Sequence, residues 1–210
     1  MATLQPGVSE AFIRNVGTAF GRAGEEWLRT LPALLAELAR DWDLTLGPPF
    51  DLSFHYVAAA TQADGTSAVL KVGVPDDEVG RELLALRLYD GAGACRLLRS
   101  DEGRAAMLLE RLTPGETLAP LAATDDDAAT RITAGVMQAL WRPGPEGWAF
   151  LPIAVWFERA FARHRAEYGG AGPFPTPLFE RAEALARELT DSAPVTALLH
   201  GDLHHYNILS

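Results

Sequence analysis

A lysine set inside an apolar strand limits what this chain can become. In Ala68-Val69-Leu70-Lys71-Val72 an ammonium group interrupts a run of aliphatic residues. Burying such a charge without a partner is costly, so the strand either edges a sheet with Lys71 in water or lies where an anion meets the lysine. The strand itself leaves both readings open. Its surroundings read as further short strands, over Leu44–Gly47, Phe54–Thr61, Ser67–Val74, Ala94–Arg99 and Ala105–Glu110. Asp64-Gly65 between the second and third is a hairpin signal, because glycine accepts a positive φ at little cost. With the turn Ser100–Gly103 between the last two, a five-stranded antiparallel sheet is expected.

Helical periodicity brackets this sheet. Trp27, Leu28, Leu31, Leu34, Leu35 and Leu38 recur at steps of three and four and predict an amphipathic helix over Gly24–Arg40, preceded by a shorter one over Ser9–Phe20. Pro32, inside the longer pattern, predicts a kink or a new first turn. Asp76–Tyr89 reads as a helix with Val79, Leu83 and Leu86 on one face and Glu78 and Glu82 together on the next. Beyond Glu110, Thr124-Asp125-Asp126-Asp127 has the form of a capping box opening a helix that carries Ile132, Val136 and Leu140 inward. A Pro- and Gly-rich loop over Trp141–Phe150 and helices over Ala154–Tyr168 and Leu178–Thr190 complete an α+β pattern without internal repeats.

With 210 residues, 48% of them hydrophobic and 22% charged, the chain can bury a sizeable core. Its net charge of −10 argues against nucleic-acid partners, which need basic patches to displace counterions, and suits cationic ones. Cys95, the one cysteine, excludes an internal disulfide and reads as a small buried apolar residue in a reducing compartment. Glu10, Arg14, Arg22, Glu25, Glu26 and Arg29 leave no signal-peptide pattern, and no uncharged apolar run approaches the roughly 18 residues of a membrane span. The expected location is cytoplasmic, with no membrane partner.

The chemistry concentrates in Leu198-Leu199-His200-Gly201-Asp202-Leu203-His204-His205-Tyr206-Asn207-Ile208-Leu209, which predicts a short strand, a polar loop and the start of a second strand. Asp202 and Asn207, five residues apart, suit a carboxylate that takes a proton from a hydroxyl beside an amide oxygen that ligates Mg²⁺. Phosphoryl transfer uses such a pair because its catalysis is mostly positioning and neutralisation of charge. Two other readings compete. Asp and Asn are common turn formers, so the loop could be a solvated turn. His200, Asp202, His204 and His205 could also form a zinc site of a hydrolase, with His55 and His164 the remaining histidines.

His200-Gly201-Asp202-Leu203-His204, followed after two residues by Asn207, resembles the catalytic loop of the antibiotic kinases. From the strand region to Ser210 the chain resembles the aminoglycoside phosphotransferase family, in its streptomycin 6-kinase and hydroxyurea kinase branch. The resemblance implies a protein-kinase-like two-lobed fold: amino-terminal helices and an N-lobe over 1–110, a hinge over 111–115, and a partial helical C-lobe over 116–210 that stops at the catalytic loop. It implies transfer of the γ-phosphate of ATP, with Mg²⁺, to a hydroxyl of a small molecule, an aminoglycoside such as streptomycin or hydroxyurea. By the same resemblance Asp202 is the catalytic carboxylate, Asn207 holds Mg²⁺ and His200 braces the loop. Lys71 contacts the phosphates and Glu82, rather than Glu78, positions Lys71. Ser53, in the loop Pro48–Ser53 that lacks a Gly-x-Gly-x-x-Gly pattern, covers the phosphates, and the adenine edge meets the Glu110 carbonyl and the Leu112 N–H. Family members continue into a second metal-binding aspartate, a return strand and further helices. The expectation is therefore a truncated chain with an unpaired strand at Leu209 and no useful transfer by itself. The alternatives are another small-molecule kinase of the same fold, a non-catalytic nucleotide-binding fragment and, remotely, the zinc hydrolase.

Metal binding separates the kinase from the hydrolase. For the kinase, calorimetry should find Mg²⁺ binding weakly alone and better with nucleotide, since Mg²⁺ takes oxygen ligands that phosphates complete. Tight zinc binding lost in His204→Ala or His205→Ala would reverse the assignment.

Overall fold

The structure is a computed structural model that describes residues 8–144, 147 and 150–210. Helix α1 (Glu10–Asp41) opens at Ser9, whose hydroxyl accepts the Phe12 N–H at 3.2 Å. The helix breaks at Gly21, where φ is +54° and ψ −134°, a backbone state that glycine adopts without steric cost. The break folds the two arms together. The Phe12 and Trp27 rings meet edge-on at 6.1 Å, whereas an unbroken helix would set their backbones about 22 Å apart. Both expected helices are present, joined at Gly21. Pro32 neither breaks the second arm nor starts a new one, the helix running on through it. Leu28, Leu31, Leu35 and Leu38 are buried along that arm, and their burial outweighs the one backbone hydrogen bond that proline removes.

Five antiparallel strands follow the expectation: β1 (Leu44–Pro49), β2 (Tyr56–Gln62), β3 (Ser67–Val72), β4 (Leu97–Asp101) and β5 (Ala106–Glu110), in the order β1-β2-β3-β5-β4. Pro48 and Pro49 fall in β1, an edge strand where a missing N–H costs little. The β2–β3 hairpin turns at Gly65 (φ +85°), with the Asp64 carboxylate accepting the Thr66 N–H at 2.9 Å. β3 is interior, paired with β2 on one side and β5 on the other, so Lys71 cannot escape to water at a sheet edge.

Alternation along the strands produces two buried faces. Tyr56, Ala58, Ala60, Ala68, Leu70, Val72, Ala106 and Leu108 pack with the apolar residues of α1. Val69, Met107 and Leu109 pack on the other face against Val79, Leu83 and Leu86 of α2 (Asp77–Tyr89). Lys71 alternates with Leu70 and Val72 and so belongs to the α2 face. Asp76 caps α2, its carboxylate accepting the N–H groups of Glu78 and Val79 at 2.9 Å each.

Beyond β5 lie α3 (Ala119–Thr124) and α4 (Asp126–Leu140). The expected capping box is displaced by one residue. Thr124 ends α3 and donates its hydroxyl to the Pro120 and Leu121 carbonyls, while the Asp125 carboxylate accepts the Ala128 N–H at 2.9 Å and caps α4. The cause is apolar: Leu118, Leu121 and Ala122 pack with Ala129 and Ile208, which draws a short extra helix out of the segment before Asp125. The strand expected at Leu198-Leu199 is also absent, the Leu198 N–H making a single bond to the Arg142 carbonyl at 2.9 Å. Leu209, expected to lie unpaired, forms an antiparallel bridge with Thr117, and Ser210 exchanges backbone bonds with Glu116 and Gly115 at 3.0 and 2.8 Å.

The chain divides into two compact units, one containing the residues up to Leu140 with His200–Ser210, the other Trp141–Leu199. In the second unit α5 (Ile153–Tyr168) and α6 (Thr176–Asp191) pack through Phe161, Phe179 and His164, with ring centroids 5.3 and 4.9 Å from Phe179. Of the loop expected over Trp141–Phe150, Pro145, Glu146, Trp148 and Ala149 lie outside the described residues. Among the described residues no helix is long and apolar enough to cross a membrane.

Gly24 tests the folded-back α1. Replacing a helix-interior glycine by alanine ordinarily stabilises by about 1 kcal/mol. Here a Cβ on Gly24 would lie 2.6 Å from the Val16 carbonyl oxygen, whereas one on Gly17 would have nothing within 4 Å. Urea unfolding should show Gly24→Ala destabilised by about 1–3 kcal/mol and Gly17→Ala not destabilised; a stabilised Gly24→Ala would mean that the arms are not packed.

Candidate active site

Lys71 sits between Val57 of β2 and Met107 of β5 in the sheet register. Its stem rests among apolar side chains, and its ammonium reaches Glu82 Oε1 at 2.5 Å. The placement of Glu82 follows from the packing of α2. With Val79, Leu83 and Leu86 against the sheet, Glu82 lies on the flank that overhangs β3, while Glu78, one turn earlier, is exposed. The pair keeps access to solvent, with Lys71 20% and Glu82 32% exposed.

Three further groups surround this pair. His55 precedes β2 and packs against Gly73. Burial holds its imidazole below the usual histidine range, Lys71 lowers it further, and Glu82 and Asp76 oppose the shift. Cys95 is half-buried; burial pushes its thiol up, with Glu110 and Glu82 adding to the effect. The third is His200, from the far end of the chain. Partial burial lowers its pKa, against the pull of Asp202 and Glu82 and together with the push of His204 and Lys71. The loop at His200 thus lies within electrostatic reach of the Lys71–Glu82 pair.

The loop is anchored from below. Leu203 and Ile208 pack with Leu118 and Ala129, and the Leu118 N–H donates to the carbonyls of His205 and Ile208 at 3.0 and 2.9 Å. Gly201 takes φ +83°, and a 3₁₀ turn over His205–Asn207 ends at Ile208. Between these anchors Asp202 is exposed, its N–H donating to His200 Nδ1 at 3.3 Å. Asn207 Nδ2 donates to the Asp202 carbonyl at 2.8 Å and to Asp202 Oδ2 at 3.2 Å. His204, whose Nδ1 accepts the Tyr206 N–H, lies with Nε2 3.5 Å from Asp202 Oδ2.

This network orients the site's oxygens. The Asn207 amide spends its nitrogen on Asp202, which leaves Oδ1 as a neutral oxygen donor beside a carboxylate. Oxygen donors of that kind suit a hard cation such as Mg²⁺. Among the described residues no three His, Cys, Asp or Glu side chains gather as a metal-binding group, so the zinc reading finds no geometric support.

The sequence-derived site residues are thus partly gathered. Lys71 and Glu82 are joined directly, and His200, Asp202 and Asn207 form one hydrogen-bonded loop. Glu110 ends β5 and Leu112 follows it, with no hydrogen bond to the Leu112 N–H among the described residues. Ser53 is exposed on the β1–β2 connection without a bond to the rest of the site. There Phe50 lies under the guanidinium of Arg111 at 4.7 Å. Sequence reasoning left out His55, which the hairpin signal could have revealed. The turn at Asp64-Gly65 pairs Val57 with Lys71, and two residues further along the same register His55 falls opposite Gly73, on the face that carries Lys71.

Several known proteins are similar to this chain. Streptomycin 6-kinase of Streptomyces glaucescens is 34% identical over 207 residues, which cover 97% of this chain and 66% of the relative. Hydroxyurea phosphotransferase of Kitasatospora aureofaciens is 36% identical over 193 residues, 90% of this chain and 56% of the relative. Streptomycin 6-kinase of Streptomyces griseus is 32% identical over 209 residues, 97% of this chain and 64% of the relative. The chain therefore spans less than two thirds of the length of these curated relatives. Residues 49–210, which carry β2 to β5, Lys71, Glu82 and the whole Asp202 loop, match the aminoglycoside/hydroxyurea antibiotic resistance kinases, and the chain belongs to that family.

Proposed function

We propose that this chain carries the nucleotide site and catalytic loop of an ATP-dependent phosphotransferase, which moves the γ-phosphate of ATP to a hydroxyl of a small antibiotic such as streptomycin or hydroxyurea. The observation that carries the reading is the convergence of an ion-paired lysine from the sheet and an Asp–Asn loop from the chain's end, with His200 in the field of both.

Each residue has a role that its geometry suits. Lys71 neutralises the polyphosphate, and Glu82 keeps the ammonium from folding away along the sheet. Asp202 accepts the proton of the acceptor hydroxyl as its oxygen bonds to the γ-phosphorus and the bond to ADP breaks. His200, accepting the Asp202 N–H, fixes the loop backbone at that residue. Asn207 Oδ1 would hold Mg²⁺, which when bound supplies positive charge to the phosphate oxygens. The Glu110 carbonyl and Leu112 N–H would meet the adenine edge, and Ser53 the phosphates. In this reading the sheet and the helices after it correspond to the two lobes of a kinase-like fold, joined over 111–115. A net charge of −10 favours a cationic acceptor, and a cytoplasmic location would supply ATP.

Two substitutions test these roles. Lys71→Ala should weaken MgATP binding to this chain by about tenfold or more, as loss of a charge-assisted phosphate contact does, with far-ultraviolet dichroism unchanged; undiminished affinity would remove Lys71 from the site. Where labelled γ-phosphate transfer is measured, Asp202→Asn should lower its rate by about 10²–10⁴-fold with ATP affinity nearly unchanged. The panel should include streptomycin, hydroxyurea and simple sugars, and an active Asp202→Asn enzyme would refute the role of Asp202.

A further inference from the structure

His55 is not explained by the roles assigned above. It lies just before β2, on the sheet face that carries Lys71, and its ring is wedged in a notch that only glycine opposite would leave. A Cβ at Gly73 would come within 2.9 Å of His55 Cδ2 and 2.8 Å of Val79 Cγ2. The ring therefore fills the angle between β3 and the first turn of α2. It is half-buried, and among the described residues no hydrogen bond reaches either ring nitrogen. Among the described residues its nitrogens are not among the buried polar atoms that lack a partner, so the ring is held firmly by packing while its nitrogens stay open to solvent. A ligand entering the site can take a hydrogen bond from a donor so fixed. The charged groups that face it are Lys71 from β3, Glu82 from α2 and Asp76 from the cap of α2.

We propose that His55 is a phosphate-binding residue of the nucleotide site, donating a ring N–H to the same polyphosphate that Lys71 neutralises; this rests on the nucleotide site argued above. A second donor beside the lysine adds to Ser53 a phosphate contact held by packing, on a β1–β2 connection that has no glycine-rich pattern. A neutral imidazole provides it without a second positive charge next to Lys71 in the empty site. The sign of the resulting pH dependence follows. Burial and Lys71 disfavour the imidazolium in the free protein, and an adjacent polyanion favours it. Nucleotide binding therefore raises the His55 pKa from its depressed value, takes up part of a proton near neutral pH, and tightens as pH falls.

The test is calorimetric titration of the 210-residue chain with MgATP at several pH values, in two buffers of different ionisation enthalpy so that proton uptake is read directly. His55→Phe keeps the ring and its packing on Gly73 but has no nitrogen. His55→Gln keeps a donor that does not titrate, and His200→Gln removes the other histidine of the site. His55→Phe should bind about tenfold more weakly and show no proton uptake, His55→Gln should recover most of the affinity without uptake, and His200→Gln should retain uptake. Wild-type affinity and uptake in His55→Phe, alongside weakened binding in Lys71→Ala, would make His55 a spacer and overturn this proposal alone. Absence of MgATP binding by the wild-type chain, or full affinity in Lys71→Ala, would overturn the nucleotide site itself and His55's role with it.

Discussion

The ammonium of Lys71 and the carboxylate of Glu82 tie the sheet, α2 and the site into one arrangement. Lys71 lies on an interior strand, where neighbours on both sides deny it a sheet edge. Its charge is tolerable there only if an anion meets it, and the anion comes from a helix whose opposite flank is buried on the same sheet face. The register of β3 and the position of α2 along its axis are thereby linked, since Glu78 and Glu82 share a face one turn apart and presenting Glu78 would require α2 to slide by about 6 Å over Met107 and Leu109. As a partly exposed pair it adds on the order of 1 kcal/mol or less to stability. Its larger consequence is a cation held in place before any ligand arrives, so that little is spent on reorganisation when negative charge enters.

The Asp202 loop uses a different device. Its chemical side chains are exposed, and their positions derive from two apolar neighbours, the buried Ile208 and the partly buried Leu203, that plug the loop into the core of α3 and α4. The hydrogen bonds within the loop then set orientation: His200 and Asn207 each bond to Asp202, one to its N–H and the other to its oxygens. An exposed functional loop on an apolar anchor is a common way to combine access with precision of placement.

Much of this was legible along the chain, and the misses have local causes. The five strands and the helices after Asp76 and Gly24 follow from periodicity, and the lysine stood out by its apolar company. Thr124 and Asp125 are both good caps, and the choice between them was made by Leu118 and Ile208, which belong to segments far apart in sequence. Leu198-Leu199 reads as a strand by composition, but a strand needs a partner ladder, and one backbone bond to Arg142 is not one. Leu209 found its partner at Thr117, across a separation that no local pattern encodes.

The amino-acid sequence by itself determined what depends on neighbours a few residues away: alternation in the strands, the turn at Asp64-Gly65, the cap at Asp76, and the spacing of Asp202 and Asn207. Tertiary structure alone decided that β3 pairs with β5 rather than remaining at an edge, and that Glu82 and not Glu78 reaches Lys71. It also decided that His55 and His200, more than half the chain apart, share the field of that pair. The reason is physical: local periodicity says which face a side chain occupies. What lies across from that face, and what charge it carries, is set by long-range packing that closes only when the whole core forms.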